Sequence, residues 1–124
     1  MSGSVRLLVA DDSSAFLDAT IDVVEATEGF ELVGTATSGE VAVALAASTL
    51  PDLVLIDVRM PGLGGIAAAT RIREQQPATL VVMVTADSGT ALARSAAFPV
   101  LDKRSLSPST LAEVWENREF RPHS

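Results

Sequence analysis

The chain has 124 residues, enough for one domain with a real core, and its apolar fraction of 48% against only 4% aromatics makes that core one of Val, Leu, Ile and Ala. A net charge of −7 excludes non-specific nucleic-acid binding by this domain, and the lack of cysteine excludes disulfides and thiolate metal sites. No apolar stretch reaches the roughly 18 residues of a membrane span, and Met-Ser-Gly-Ser at the start lacks a basic, apolar signal segment, so the expectation is a cytoplasmic protein with no membrane partner.

Strand-like and helix-like runs alternate from residue 5 to about residue 118. Arg6-Leu7-Leu8-Val9-Ala10 reads as a first strand ending in Asp11-Asp12. A first helix is expected from Ser13 or Ser14, with Phe16, Ala19, Thr20, Val23 and Val24 on one face, stopping at Gly29. Residues 31–36 read as a second strand. Ser38 caps a second helix whose Val41, Leu45 and Ala46 face inward before Pro51 ends it. Leu53-Val54-Leu55-Ile56, ending in Asp57, is almost wholly apolar, as a central strand covered on both faces should be. Gly62, Gly64 and Gly65 make a flexible turn into a third helix that ends near Pro77. Leu80-Val81-Val82-Met83-Val84 is a fourth strand running to Thr85, and a short Ala-rich segment, residues 90–97, follows. Pro99 falls inside a fifth strand, where its missing N–H is tolerable only at a sheet edge. Ser107-Pro108 is a cap with a first-turn proline and opens a last helix through Leu111, Val114 and Trp115, residues that read as helix packing.

Five βα units in series call for right-handed crossovers and a doubly wound parallel sheet with helices on both faces. One switch in strand order puts the first and third strands side by side, so Asp11, Asp12 and Asp57 converge at the carboxyl edge, where open α/β sheets bind ligands. Two carboxylates about 4 Å apart repel by roughly 4 kcal/mol at an effective dielectric near 20. A divalent cation relieves that, and an all-oxygen cluster suits Mg²⁺, which keeps waters and shares phosphate oxygens. Lys103, the one lysine among nine basic residues, and Thr85 lie at the ends of neighbouring strands. Singly, each of these residues has an ordinary explanation: a helix cap, a turn acid, a strand threonine, a surface lysine. Together, in register, they point to phosphoryl chemistry on an aspartyl nucleophile.

The text Leu8-Val9-Ala10-Asp11-Asp12-Ser13, Asp57-Val58-Arg59-Met60-Pro61 with Gly65, Thr85-Ala86 and Lys103 resembles the receiver domain of two-component response regulators over essentially its whole length. The resemblance implies a flavodoxin-like fold of strand order 2-1-3-4-5, with residues 1–118 as the receiver domain and 119–124 as a polar tail. It implies phosphoryl transfer to Asp57 from a histidine kinase or phosphotransfer protein, Mg²⁺ bound directly by Asp12 and through water by Asp11, and a further ligand in the backbone carbonyl of Arg59. Thr85 would donate its hydroxyl to the phosphoryl group and Lys103 would pair with it, with Met60, Pro61, Ala86 and Asp87 flanking the site. The domain would catalyse only its own modification and signal through protein contacts. A downstream protein or a second copy would meet the face formed by the segment 90–97, the fifth strand and the last helix.

Four departures from the family bear on that signal. Val100 stands where Tyr or Phe is usual, so the switch would rest on Thr85 and Val100, with Phe98, of the same strand parity, as a partial substitute. The stretch from Thr85 to Lys103 is short by about one helical turn, which shortens the fourth helix. Arg104 follows the lysine where proline is common, so a trans peptide is expected there. Gly64 replaces an acidic residue. Arg59-Met60-Pro61-Gly62 and Lys103-Arg104-Ser105-Leu106-Ser107-Pro108 read closest to receivers attached to helix-turn-helix transcription factors, so the chain is either a stand-alone regulator or a receiver cut from a longer protein. Other readings are a phosphate-independent interaction module, a haloacid dehalogenase-type hydrolase, which would need an acid where Arg59 stands, and a flavin carrier, whose phosphate Asp11-Asp12 would repel.

Overall fold

The apolar runs pair side by side into one parallel sheet, and the amphipathic runs between them pack on its two faces. The computed structural model describes residues 3–86 and 98–120. In chain order the elements are β1 Val5–Ala10, α1 Ser14–Glu25, β2 Phe30–Ala36, α2 Gly39–Thr49, β3 Leu53–Asp57, α3 Gly65–Gln75, β4 Leu80–Thr85, β5 Val100–Asp102 and α4 Pro108–Glu116, with 3₁₀ turns at Lys103–Ser105 and Asn117–Phe120. The strand order is β2-β1-β3-β4-β5, the order the family resemblance implies and one of those open to a doubly wound sheet. The expected short helix at 90–97 lies outside the described residues; the last helix is α4.

Parity along each buried strand divides the core in two. Leu8, Ala10, Val54, Ile56, Val81 and Met83 face Ala42 and Ala46 of α2 and Ala68, Ala69 and Ile72 of α3. Leu7, Val9, Leu53, Leu55, Val82 and Val84 face Leu17 and Val24 of α1 and Leu111 of α4. Small alanines on α2 and α3 let those helices approach the sheet closely. Leu111 is fully buried, while Val114 and Trp115 are half-covered against the second cluster, the packing role expected of them. Among the described residues no helix is long and apolar enough to cross a membrane.

The structure corrects several local expectations. On α1 the buried positions are Leu17, Thr20 and Val24, and Ala19 is exposed. Thr20 enters the apolar face because its hydroxyl donates to the Phe16 carbonyl at 2.8 Å, which leaves no bare donor in the core. On α2 Val41 points outward, 44% exposed, and Ala42 and Ala46 face the sheet, because only a side chain of that size fits beneath the helix. α1 ends at Glu25, before Gly29: Thr27 closes the turn with its hydroxyl on the Val23 carbonyl, and Gly29, at φ +85°, presents its carbonyl to the Val5 amide. β1 and β2 each begin one residue earlier than read. Pro99 sits just before β5 rather than inside it, where its carbonyl still accepts from the Met83 amide at 2.9 Å. β5 is a sheet edge, which is why proline is tolerated there. The Lys103–Arg104 peptide is trans, since no cis peptide occurs among the described residues.

Strand ends stay in step across the sheet: Ala10 pairs with Ile56, Asp57 with Val84, and Thr85 with Asp102. The residues that leave β1, β3, β4 and β5 therefore emerge at one level. The loop after β3 turns through Gly62 and Gly64, both at positive φ, and starts α3 directly over the strand end. A Cβ on Gly65 would overlap the Asp57 carbonyl oxygen and crowd that of Val58 at 2.7 Å. Gly65→Ala should accordingly cost about 3 kcal/mol or more, since the obstruction is backbone and cannot swing aside. Urea unfolding of the variant reads this directly, and an unchanged midpoint would contradict the close approach.

Candidate functional site

Lys103 reaches across the carboxyl edge of the sheet and stands between two acids. Its ammonium lies 2.6 Å from Asp11 Oδ2 and 3.5 Å from Asp57 Oδ1. Local structure places each partner. Asp11 leaves β1 fully buried, and its Oδ1 accepts from the Ser13 amide at 2.8 Å, so the acid is tied to the start of α1. Ser13 then caps that helix, its hydroxyl accepting from the Phe16 amide at 3.2 Å. Asp57 ends the most enclosed strand and is nearly buried itself. Lys103 opens a 3₁₀ turn capped by Asp102, whose carboxylate accepts from the Arg104 amide at 2.8 Å. Arg104 also clamps Asp102 through Nε and Nη2, and these hydrogen bonds hold the Asp102 carboxyl down to about 2.

Asp12 joins the two buried acids from the exposed side: one oxygen each of Asp11, Asp12 and Asp57 lie within 4.8 Å of one another. Asp11 Oδ2 is sealed from solvent, and the Lys103 ammonium lies 2.6 Å from it. A carboxylate oxygen carries more lone pairs than one ammonium contact uses, so it can face a cation as well. Three carboxylates, two of them buried, match the all-oxygen donor set of a hard divalent cation such as Mg²⁺.

The remaining residues expected near the site fall into place unevenly. Thr85 ends β4, almost fully buried, and continues the strand parity of Val81 and Met83. Arg59 is exposed, with its backbone hydrogen-bonded to the Asp57 carboxylate. Met60 is buried in the core against α2 and α3, while Pro61 and Ala86 lie at the surface. Asp87 is outside the described residues. Val100 is half-buried and Phe98 buried in the same cluster, with the Arg73 guanidinium 3.9 Å from the Phe98 ring centroid. Two participants were not singled out from sequence. Ser13 stands in the sequence as a helix start and within the matched text, and the structure adds its amide's hydrogen bond to Asp11, an Asp-x-Ser pattern. Phe16, read as core, places its ring centroid 4.8 Å from the Lys103 ammonium.

The pattern of the family described as Response regulator receiver domain matches residues 7–108. The chain is 34% identical over 112 residues to a protein-glutamate methylesterase/protein-glutamine glutaminase of Anaeromyxobacter dehalogenans, covering 90% of this chain and 33% of that protein. It is 38% identical over 81 residues to the response regulator GacA of Pseudomonas aeruginosa, covering 65% of this chain and 38% of GacA. The chain thus spans about a third of the length of these relatives. Its fold superposes on the signal receiver domain of NarL from Mycobacterium tuberculosis with a TM-score of 0.84 at 28% identity, covering 95% of this chain and 98% of that one.

The charge balance sets a test. Burial pushes the Asp57 carboxyl up from its ordinary value, Asp11 pushes it further, and Lys103 pulls back only in part. The Lys103 ammonium is held above its ordinary value: burial, the largest single effect, works against its charge, but the hydrogen bond to Asp11 and the charges of both acids outweigh it. An acid raised in the fold binds its proton more tightly folded than unfolded, so stability falls as pH rises from 3.8 to the raised value and stays lowered above it. Without metal, Asp57→Asn should therefore melt at a higher temperature than the wild type at neutral pH. The gain should disappear as pH falls below the ordinary carboxylate range. Equal melting temperatures at pH 7 would show that Lys103 already cancels the cost.

Proposed function

The chain belongs to the response regulator receiver domain family, and we propose that it accepts a phosphoryl group on Asp57 from a histidine kinase or phosphotransfer protein and passes the signal on through protein contacts. The observation that carries this reading is the Lys103 ammonium set between Asp11 and Asp57 at the carboxyl edge of the sheet. Asp57 is the acid on which charge and enclosure converge: it ends the buried β3 with a cation within reach.

In this reading an Asp57 carboxylate oxygen attacks the donor's phosphorus, the phosphorus–nitrogen bond to the donor imidazole breaks, and an acyl phosphate forms. Bound Mg²⁺ supplies compensation for the charge of the phosphoryl oxygens and the acids. Asp12, exposed and unencumbered by the lysine contact, would hold it directly; Asp11 would act through water, and Asp57 and the Arg59 backbone carbonyl would complete the set. Lys103 transfers its attraction from the Asp57 carboxylate to a phosphoryl oxygen, and the Thr85 hydroxyl donates to another. The domain is a phosphoryl acceptor, and the methylesterase and glutaminase activities belong to the relative that carries those names.

The output would run from Thr85 toward β5 and α4, the face offered to a downstream protein or a second copy. Val100 supplies no ring to that route, and Phe98, although of the right parity, is already covered by Arg73. The domain would therefore reorganise less on phosphorylation than a receiver with an aromatic at that position.

Incubation with a small phosphodonor and Mg²⁺, followed by borohydride trapping and mass spectrometry, should place the label on Asp57 alone. Label persisting in Asp57→Asn would refute the assignment, and no label in the wild type would leave the phosphate-independent interaction module. Lys103→Arg keeps the charge but replaces a compact ammonium with a wide planar fork, and should lower the labelling rate on the order of a hundredfold, the usual loss when one positioned donor is removed. Calorimetry should find Mg²⁺ binding lost in Asp12→Asn and only weakened in Asp11→Asn; wild-type affinity in Asp12→Asn would put the metal elsewhere.

A further inference from the structure

Phe16 lies in the first turn of α1, half-buried, and touches the sheet's second apolar cluster with one side of its ring. Its ring centroid is 4.8 Å from the Lys103 ammonium, within the range where the negative face of an aromatic ring attracts a cation. The contacts around it close into a circuit. Lys103 Nζ meets Asp11 Oδ2, Asp11 Oδ1 takes the Ser13 amide, Ser13 Oγ takes the Phe16 amide, and the Phe16 ring returns to Lys103. The acid that attracts the lysine therefore also fixes the helix turn that holds the ring against it.

A lysine side chain has four rotatable carbons and only 21% of this one remains exposed. Two acids draw the ammonium inward, and a flexible chain still needs a wall on its outer side to stay there. From this geometry we infer that Phe16 is a positioning residue for phosphoryl uptake: its ring walls in the Lys103 ammonium, keeps it directed at Asp57, and limits its access to solvent. Leu or Met at the same place would fill the apolar volume and keep the helix turn, but would offer the cation no ring face. Tyr would offer one.

The chain has one lysine, so amine acylation reads Lys103 against the terminal amine as an internal reference. With a water-soluble acetylating ester and mass spectrometry, Phe16→Leu and Phe16→Met should each raise the Lys103 labelling rate about two- to fivefold, the factor a partly exposed cation–π contact is worth. Phe16→Tyr should label like the wild type, and the terminal amine should not change in any variant. The same Leu and Met variants should take the phosphoryl group from a small phosphodonor more slowly by a similar factor, with Tyr restoring the rate. A purely structural role would lower the melting temperature of the variants without this division between aromatic and aliphatic replacements. Wild-type acylation and phosphorylation rates in both Leu and Met would overturn the inference. The phosphorylation arm rests on the reading of Asp57 as acceptor, whereas the acylation arm does not. Faster acylation in Leu and Met, in a protein whose wild type takes up no phosphoryl group, would uphold the wall around Lys103 and refute the acceptor reading instead.

Discussion

Like charge gathered at the end of a sheet is the constraint around which this domain is arranged. Three acids come together because β1 and β3 are neighbours and their ends lie in register. Two of the acids are buried, where mutual repulsion is only weakly screened. One ammonium stands between those two and offsets part of their mutual repulsion. The compensation is partial, since the Asp57 carboxyl remains raised. A buried acidic cluster whose charge is only partly offset favours a further cation nearby.

The scaffold around the cluster is correspondingly rigid. β3 is buried along its whole length, Gly65 lets α3 start against the Asp57 carbonyl, and the Asp11 carboxylate is tied to α1 through Ser13. Lys103 arrives from a different kind of support. β5 is three residues long and at the sheet edge, and the lysine is presented by a 3₁₀ turn whose cap, Asp102, is itself clamped by Arg104. The acids sit at or just past the ends of central strands, whereas the cation sits on a short edge element. The Phe16 ring centroid lies 4.8 Å from that ammonium.

The family to which the chain belongs sets a common frame, and this sequence alters it around β5. Val100 is half-buried where a ring is usual, and the ring nearest in parity, Phe98, is buried under the Arg73 guanidinium. Arg104 takes the place of a proline and spends its side chain on Asp102. These changes leave the acids and the lysine together.

Read alone, the amino-acid sequence determined the alternation of elements, the helix starts at Ser13, Ser38 and Ser107, and the placing of Asp11, Asp12, Asp57, Thr85 and Lys103 at the ends of apolar runs, while the strand order came from the family resemblance. Those features are written in periodicity and in polar residues that end apolar runs, and both are local. Helix faces were decided only by tertiary packing: Val41 and Ala19 are exposed because the sheet beneath α1 and α2 accepts Leu17, Ala42 and Ala46 in their place, and periodicity cannot choose between adjacent positions by size. The partners of Phe16, Ser13, Asp102 and Phe98 were decided there too. A ring 87 positions from its lysine in the chain, or an arginine stacked on a phenylalanine from another element, has no signature in spacing. Such contacts exist only once the strands have brought distant segments to the same edge.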